Sequence, residues 1–137
     1  MNIVLDEGAK KPTRAHDTDA GLDLYSREEK IIRPHSSETI STGVHVQLPS
    51  GTAGILMSKS GLNVRYNITS TGLIDEGYTG EILVKLYNHG DRYFDVHKGD
   101  KISQLVITPV LYEEVNVVKT LNESDRGNSG FGSTGRK

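Results

Sequence analysis

The chain has 137 residues, enough for one domain. Its net charge of −2, from 16 basic and 18 acidic residues, excludes a general nucleic-acid binder, which needs a basic face. The absence of cysteine excludes a disulfide scaffold, a thiolate nucleophile and a Cys-based zinc site. Only 34% of the residues are hydrophobic and 6% aromatic, so a thin private core is expected, with further burial gained by oligomerising.

Met1–Leu5 runs straight into Asp6 and Glu7, unlike a signal peptide. No apolar run approaches the ~20 residues of a membrane span. A soluble, cytoplasmic protein is expected, with no membrane partner. Glycine and proline punctuate short strand-like runs along the chain. Asn2–Leu5 reads as a first strand, followed by a polar loop from Lys10 to Asp19. Leu22–Tyr25 and Lys30–Arg33 follow, the latter stopped by Pro34. Thr39–Ile40 leads to Gly43, after which Val44, Val46 and Leu48 alternate with polar residues. Ala53–Met57 is a strand, and about two turns of helix near Leu62–Tyr66 follow Ser60 as cap. Tyr66–Ser70 and Leu73–Asp75 bracket a turn. Glu81–Asn88 is the strongest strand; Tyr93–Val96, Ile102–Ile107 and Leu111–Val118 complete the set. Such spacing predicts an all-β, jelly-roll-like sandwich or barrel with one short helix, the body ending at residue 122. Residues 123–137 are rich in glycine and poor in apolar side chains, and read as a flexible arm.

The stretch Gly72–Glu81 organises the rest. Glycines at 72, 77 and 80 surround an acid, Asp75, and a ring, Tyr78. A hairpin here presents bare N–H and C=O groups, a carboxylate and an aromatic face, a set suited to a small flat polar molecule with a base beside it. An ordinary hairpin with an exposed Asp and a half-buried Tyr accounts for the same residues. In the arm, serial hydroxyls and glycine amides make anion sites, and Arg126 and Arg136 match phosphate oxygens. Phe131, between two glycines, has no apolar neighbour and invites a flat partner. Ordering roughly ten residues costs on the order of 10 kcal/mol. Charge-assisted hydrogen bonds return about 1.5–3 kcal/mol each and a base stack about 1–3 kcal/mol. A triphosphate carrying a flat base supplies enough contacts to close the arm; a bare phosphate does not.

Three further stretches carry polar groups at unusual places. Met57–Leu62 puts hydroxyls and Lys59 at a helix start, an anion pocket or a simple capped turn. Gln104 shares a strand face with apolar neighbours and needs a specific partner. Asp23 is flanked by leucines, a place for a structural carboxylate or for one holding water on a hard cation. The five histidines, at 16, 35, 45, 89 and 97, show no metal-ligand spacing and read as surface or turn residues.

Together these stretches resemble the homotrimeric dUTPase family. Its five ordered motifs are matched in order by Ala20–Leu24, Ser58–Leu62, Gly72–Gly80, Gly99–Leu105 and Arg126–Gly135. The resemblance implies hydrolysis of dUTP to dUMP and diphosphate by water attack at the α-phosphorus, with Mg2+ bridging the phosphates. It implies that Asp75 holds the attacking water and contacts the sugar 3′-OH, and that Tyr78 lies against the deoxyribose. Main-chain groups of the hairpin, at Gly72 and Ile74, would read uracil. Lys59, Ser60, Gly61 and Gln104 would contact phosphates. Arg126, Gly132, Ser133 and Thr134 would grip the far phosphates, and Phe131 would stack on the base. Asp23 would hold waters bound to Mg2+. Each site would draw on three subunits. Lys59 and Lys101 stand where the family usually has arginine, keeping the charge but losing the planar fork. Thr69 stands where some relatives place asparagine near the base. The rivals are a dCTP deaminase of the same fold, which needs a carboxylate positioned at cytosine and generally lacks the arm motif, and a non-enzymatic module that uses its nucleotide pocket to regulate a protein partner.

Overall fold

The computed structural model describes residues 1–136. In chain order the elements are β1 (Asn2–Leu5), β2 (Gly21–Tyr25), β3 (Lys30–Ile32), β4 (Ser36–Gln47), β5 (Thr52–Met57), α1 (Ser60–Tyr66), β6 (Ile68–Ile74), β7 (Glu81–Asn88), β8 (Phe94–Val96) and β9 (Lys101–Pro109). Seven strands form one antiparallel sheet in the order β1-β4-β7-β6-β5-β9-β2, and β3 pairs with β8 in a second. The fold is all-β and jelly-roll-like, as the strand spacing predicts.

Alternation decides which side of most strands faces inward; in β9 a register shift against β2 lets both Ile102 and Leu105 turn in. Ile40, Val44 and Val46 of β4, Ile82, Val84 and Leu86 of β7, and Ile102 and Leu105 of β9 are buried, as are Leu24 of β2 and Leu56 of β5. All belong to one cluster. Strands far apart in the sheet order share that cluster, so the sheet curls around it. The largest fully buried side chains are all aliphatic, the thin core expected of this composition. Buried polar groups are paired: Thr42 Oγ donates to the Ile82 carbonyl at 2.6 Å, and the Ser70 and Ser103 hydroxyls meet at 2.8 Å. The Asn88 amide donates to the carbonyls of Ile32 and Arg92, joining the small sheet to the large one.

Three local expectations need correction, and Gly43 shows how the two halves of β4 join. It sits at φ +65° in a bulge that shifts the β4–β7 register between Ser41 and His45, so β4 continues through it and reaches β1. No turn interrupts β6. Thr71 and Gly72 pair with Met57 and Leu56 of β5, and Gly72 serves close packing, since a Cβ there would lie 3.0 Å from Leu56 Cδ1. Ser60 is the first residue of α1 rather than its cap; Lys59 occupies the cap position without a side-chain hydrogen bond. Leu111–Val118 forms no strand, having no ladder partner within the chain, and it leaves Leu111, Val115 and Val117 exposed.

Gly43→Ala is expected to lower stability by about 1–3 kcal/mol, the usual cost of a non-glycine residue held at positive φ. A Cβ there also lies 2.7 Å from Ala9 Cβ and 2.9 Å from Arg27 Cδ. The urea midpoint of the variant against the parent measures the loss.

Candidate functional site: a split hairpin and a lysine–aspartate cluster

The β6–β7 hairpin separates partway along. Ile68, Thr69 and Ser70 pair with Asn88, Tyr87 and Leu86, and there the shared ladder stops. Beyond that point β6 stays with β5, down to Ile74 opposite Gly54, while β7 stays with β4, down to Glu81 opposite His45. The strands diverge because each has another partner. Alternate residues of β6 therefore turn N–H and C=O groups toward a side that β7 has left. The cleft between them has a volume of about 240 Å3 and is lined by Leu73, Ile74, Asp75, Tyr78, Glu81 and Leu83. That is just below the roughly 300–1,000 Å3 of typical small-molecule pockets.

The tip is braced. Asp75 O accepts the Tyr78 N–H at 3.1 Å, closing the turn, and the Tyr78 hydroxyl donates to the Glu81 carbonyl at 2.9 Å. The ring is thereby fixed as a wall of the cleft, with Asp75 exposed beside it. Glu76 accepts from the Gly51 N–H at 3.0 Å and from the Tyr112 hydroxyl at 2.5 Å; these bonds, the Tyr112 one foremost, hold its carboxyl below the usual value. At the base, Glu81 is raised by burial, but the Ser41 hydroxyl, the Gly43 N–H and the Arg27 guanidinium outweigh this and leave it lowered. The Glu81 carboxylate is thus a fixed anion on which the β4 bulge closes.

A second group gathers where β2, β9 and the end of β5 lie side by side. Gln104 is opposite Asp23 on one side and Met57 on the other. Its amide donates to the Ser58 carbonyl at 3.0 Å, the specific partner its position demands. Gly21 makes the room: a Cβ there would lie 2.5 Å from Gln104 Oε1. Asp23 is 5% exposed, and each of its oxygens meets an ammonium, Lys59 Nζ on Oδ1 and Lys101 Nζ on Oδ2 at 2.8 Å. Burial pushes the Asp23 carboxyl up, but the Lys101 and Lys59 hydrogen bonds win and hold it below the usual value, while Lys101 is raised in turn. One carboxylate and two lysines leave a positive cluster beside the exposed Ser60 and Gly61. Both Asp23 oxygens being engaged, they do not suit direct ligation of Mg2+, and the described residues contain no group of three or more His, Asp or Glu that could cage a metal.

The structure does not bring these two groups together in one chain. Ile74 lies opposite Gly54 at the start of β5, whereas Ser58 follows its end. Four residues of strand separate them, about 13 Å at ~3.3 Å per residue. The arm joins neither. Arg126, Phe131, Gly132, Ser133 and Thr134 are exposed, and Arg126 Nε donates to the Ser129 carbonyl within the arm. Sequence reasoning left several participants unassigned. Lys101 is marked by being one of two cations matched to a buried acid between leucines. Glu76, Glu81 and His45 carry no such signal, because their partners lie 25 or more residues away.

A family model described as dUTPase matches residues 7–135. Deoxyuridine 5′-triphosphate nucleotidohydrolases of Clostridium acetobutylicum and Clostridium tetani are 49% and 47% identical over 136 residues, covering 97% of this chain and 94% of each relative. Among solved structures, the dUTPase of Staphylococcus bacteriophage 80alpha with dUPNHPP superposes with a TM-score of 0.92 at 31% identity, covering 98% of this chain and 97% of that one. A mutant dUTPase from phage phi11 of S. aureus, described with a structural Mg(II) ion, gives 0.80 at 30% identity over 87% of this chain and 96% of that one.

Asp23→Asn is expected to cost about 1–3 kcal/mol at neutral pH, since it removes a buried charge from two ammonium groups. Asp23 is lowered from 3.8, so its stabilisation is full above that value and is lost as pH falls through the lower folded value. The gap between parent and variant, read by chemical unfolding, should narrow over that acid range.

Proposed function

This chain belongs to the dUTPase family, and we propose that the cleft where β6 leaves β7 holds the deoxyuridine of dUTP. The reaction is hydrolysis to dUMP and diphosphate, by water attack at the α-phosphorus. The observation that carries the reading is the parted ladder, with unpaired main chain, Asp75 and the Tyr78 ring around one small cavity.

Backbone atoms of β6, at Gly72 and Ile74, pair with the uracil edge as a complementary base would. The Tyr78 ring, tied through its hydroxyl, leaves no room for a ribose 2′-OH. Asp75 stands at the tip, where a carboxylate can orient a water, take its proton and accept from the sugar 3′-OH. Lys59, Ser60, Gly61 and Gln104 bind phosphate oxygens and spread the charge that builds on the leaving diphosphate. Arg126, Gly132, Ser133 and Thr134 close on the outer phosphates, with Phe131 over the base.

Mg2+ would neutralise charge on the triphosphate. Asp23, both of whose oxygens are engaged by lysines, would hold it only through water. The separation of Asp75 from the lysine cluster supports a site assembled between copies, in a homotrimer, with the arm reaching over from a neighbour. The absence of a helix long and apolar enough to cross a membrane, among the described residues, fits a cytoplasmic enzyme of nucleotide metabolism.

A diphosphate-release assay across nucleoside triphosphates tests the reading. dUTP should be cleaved, while dTTP, dCTP and UTP should react far more slowly. Ammonia from dCTP would assign the deaminase chemistry instead. Asp75→Asn should lower kcat by roughly 10²–10⁴, the usual worth of a general base, with dUTP still bound by calorimetry. Cutting after Glu123 should leave the trimer intact in solution and greatly reduce turnover.

A further inference from the structure

His45 lies in the second half of β4, opposite Val4 of β1 on one side and Glu81 of β7 on the other. Its Nδ1 is 2.9 Å from the Thr79 carbonyl, in the hairpin tip next to Tyr78. Its Nε2 is 3.2 Å from Asp6 Oδ1, in the segment after β1. A carbonyl and an ionised carboxylate both accept and neither donates. A neutral imidazole has one N–H and serves one of them; the imidazolium has two and serves both. The charged groups around the ring agree. Asp6, which also accepts from Arg27 Nη1 at 3.1 Å, and Glu81, 3.5 Å from Arg27 Nη2, face it from two sides, with Arg27 shared between them. A cavity of about 460 Å3 against β1 and β4, lined in part by Asn2, Asp6, His45 and Thr79, gives water a route to the ring.

We propose that His45 is a positioning residue for the nucleotide cleft: its doubly donating imidazolium ties Thr79, and with it the Tyr78 wall, to Asp6, and releases them when it loses its proton. The proposal rests on the reading of the cleft as the deoxyuridine site. His45 is raised from its ordinary 6.5, first by the Thr79 carbonyl and then by Asp6. The sign follows from linkage: the tie is complete below 6.5 and is lost as pH rises through the higher folded value. Above it, either the Thr79 carbonyl or Asp6 Oδ1 loses its histidine donor, and the tip keeps only its Glu76 and Tyr78 anchors. The wall against the sugar loosens, so KM changes more than kcat.

Two measurements on the full-length protein test this. In an NMR titration without nucleotide, the His45 ring, assigned by its loss in His45→Gln, should titrate above 6.5. The Tyr78 and Thr79 amides should follow with the same inflection. Across that inflection, KM for dUTP relative to His45→Gln should rise roughly three- to tenfold, about the worth of one hydrogen bond; taking the ratio cancels titration of the nucleotide. Asp6→Asn should move the inflection to lower pH, an arm that stands even if His45→Gln fails to fold. Amides that ignore the ring, an inflection unmoved in Asp6→Asn, or a His45→Gln profile matching the parent would each overturn the proposal. A coupled titration in a protein that cleaved no dUTP would instead overturn the function and leave the tie standing.

Discussion

The site depends on a competition between ladders. β6 and β7 begin as an ordinary hairpin, but β5 claims one and β4 the other, and after Ser70 and Leu86 neither can serve both partners. Main-chain groups freed in this way are expensive to leave bare in a dry interior. Here they border an open cleft. A ligand edge with complementary donors and acceptors would meet main-chain groups already aligned by two flanking strands, and little ordering of that stretch of main chain would remain.

The charges are arranged on the same scale. A net charge of −2 conceals a division into a carboxylate pair bridged by Arg27 under the hairpin tip, Glu81 with Asp6, and a cationic cluster at Lys59 and Lys101. Each is built around a carboxylate held in its charged form by donors from distant parts of the chain. Asp23 keeps two lysines together that would otherwise repel, and so concentrates positive charge at one end of β5.

Much of this was legible in the residues. Strand periodicity located nine of the elements, and the motif around Asp75 and Tyr78 lies where the cleft forms. What misled was local chemistry with a remote cause. Gly72 looks like a turn but lets β6 lie against Leu56, and the bulge at Gly43 closes on partners far along the chain. Leu111–Val118 has the pattern of a strand, yet pattern cannot supply a neighbour. His45 alternates along β4 like any outward residue, and only the fold puts Thr79 and Asp6 on its two nitrogens. Nor does any spacing reveal that β5 holds Asp75 and Ser58 apart; that needs the register of three strands.

The exposed Leu111–Leu121 segment has a practical side. Val115 and Val117 stand 91% and 97% exposed with their backbone unladdered, so an isolated copy presents a greasy, strand-ready ribbon. Such a ribbon adheres to vessel walls and to other unfolded chains. Very dilute preparations of this protein should therefore lose material with time, and carrier protein or detergent in the buffer should retain it.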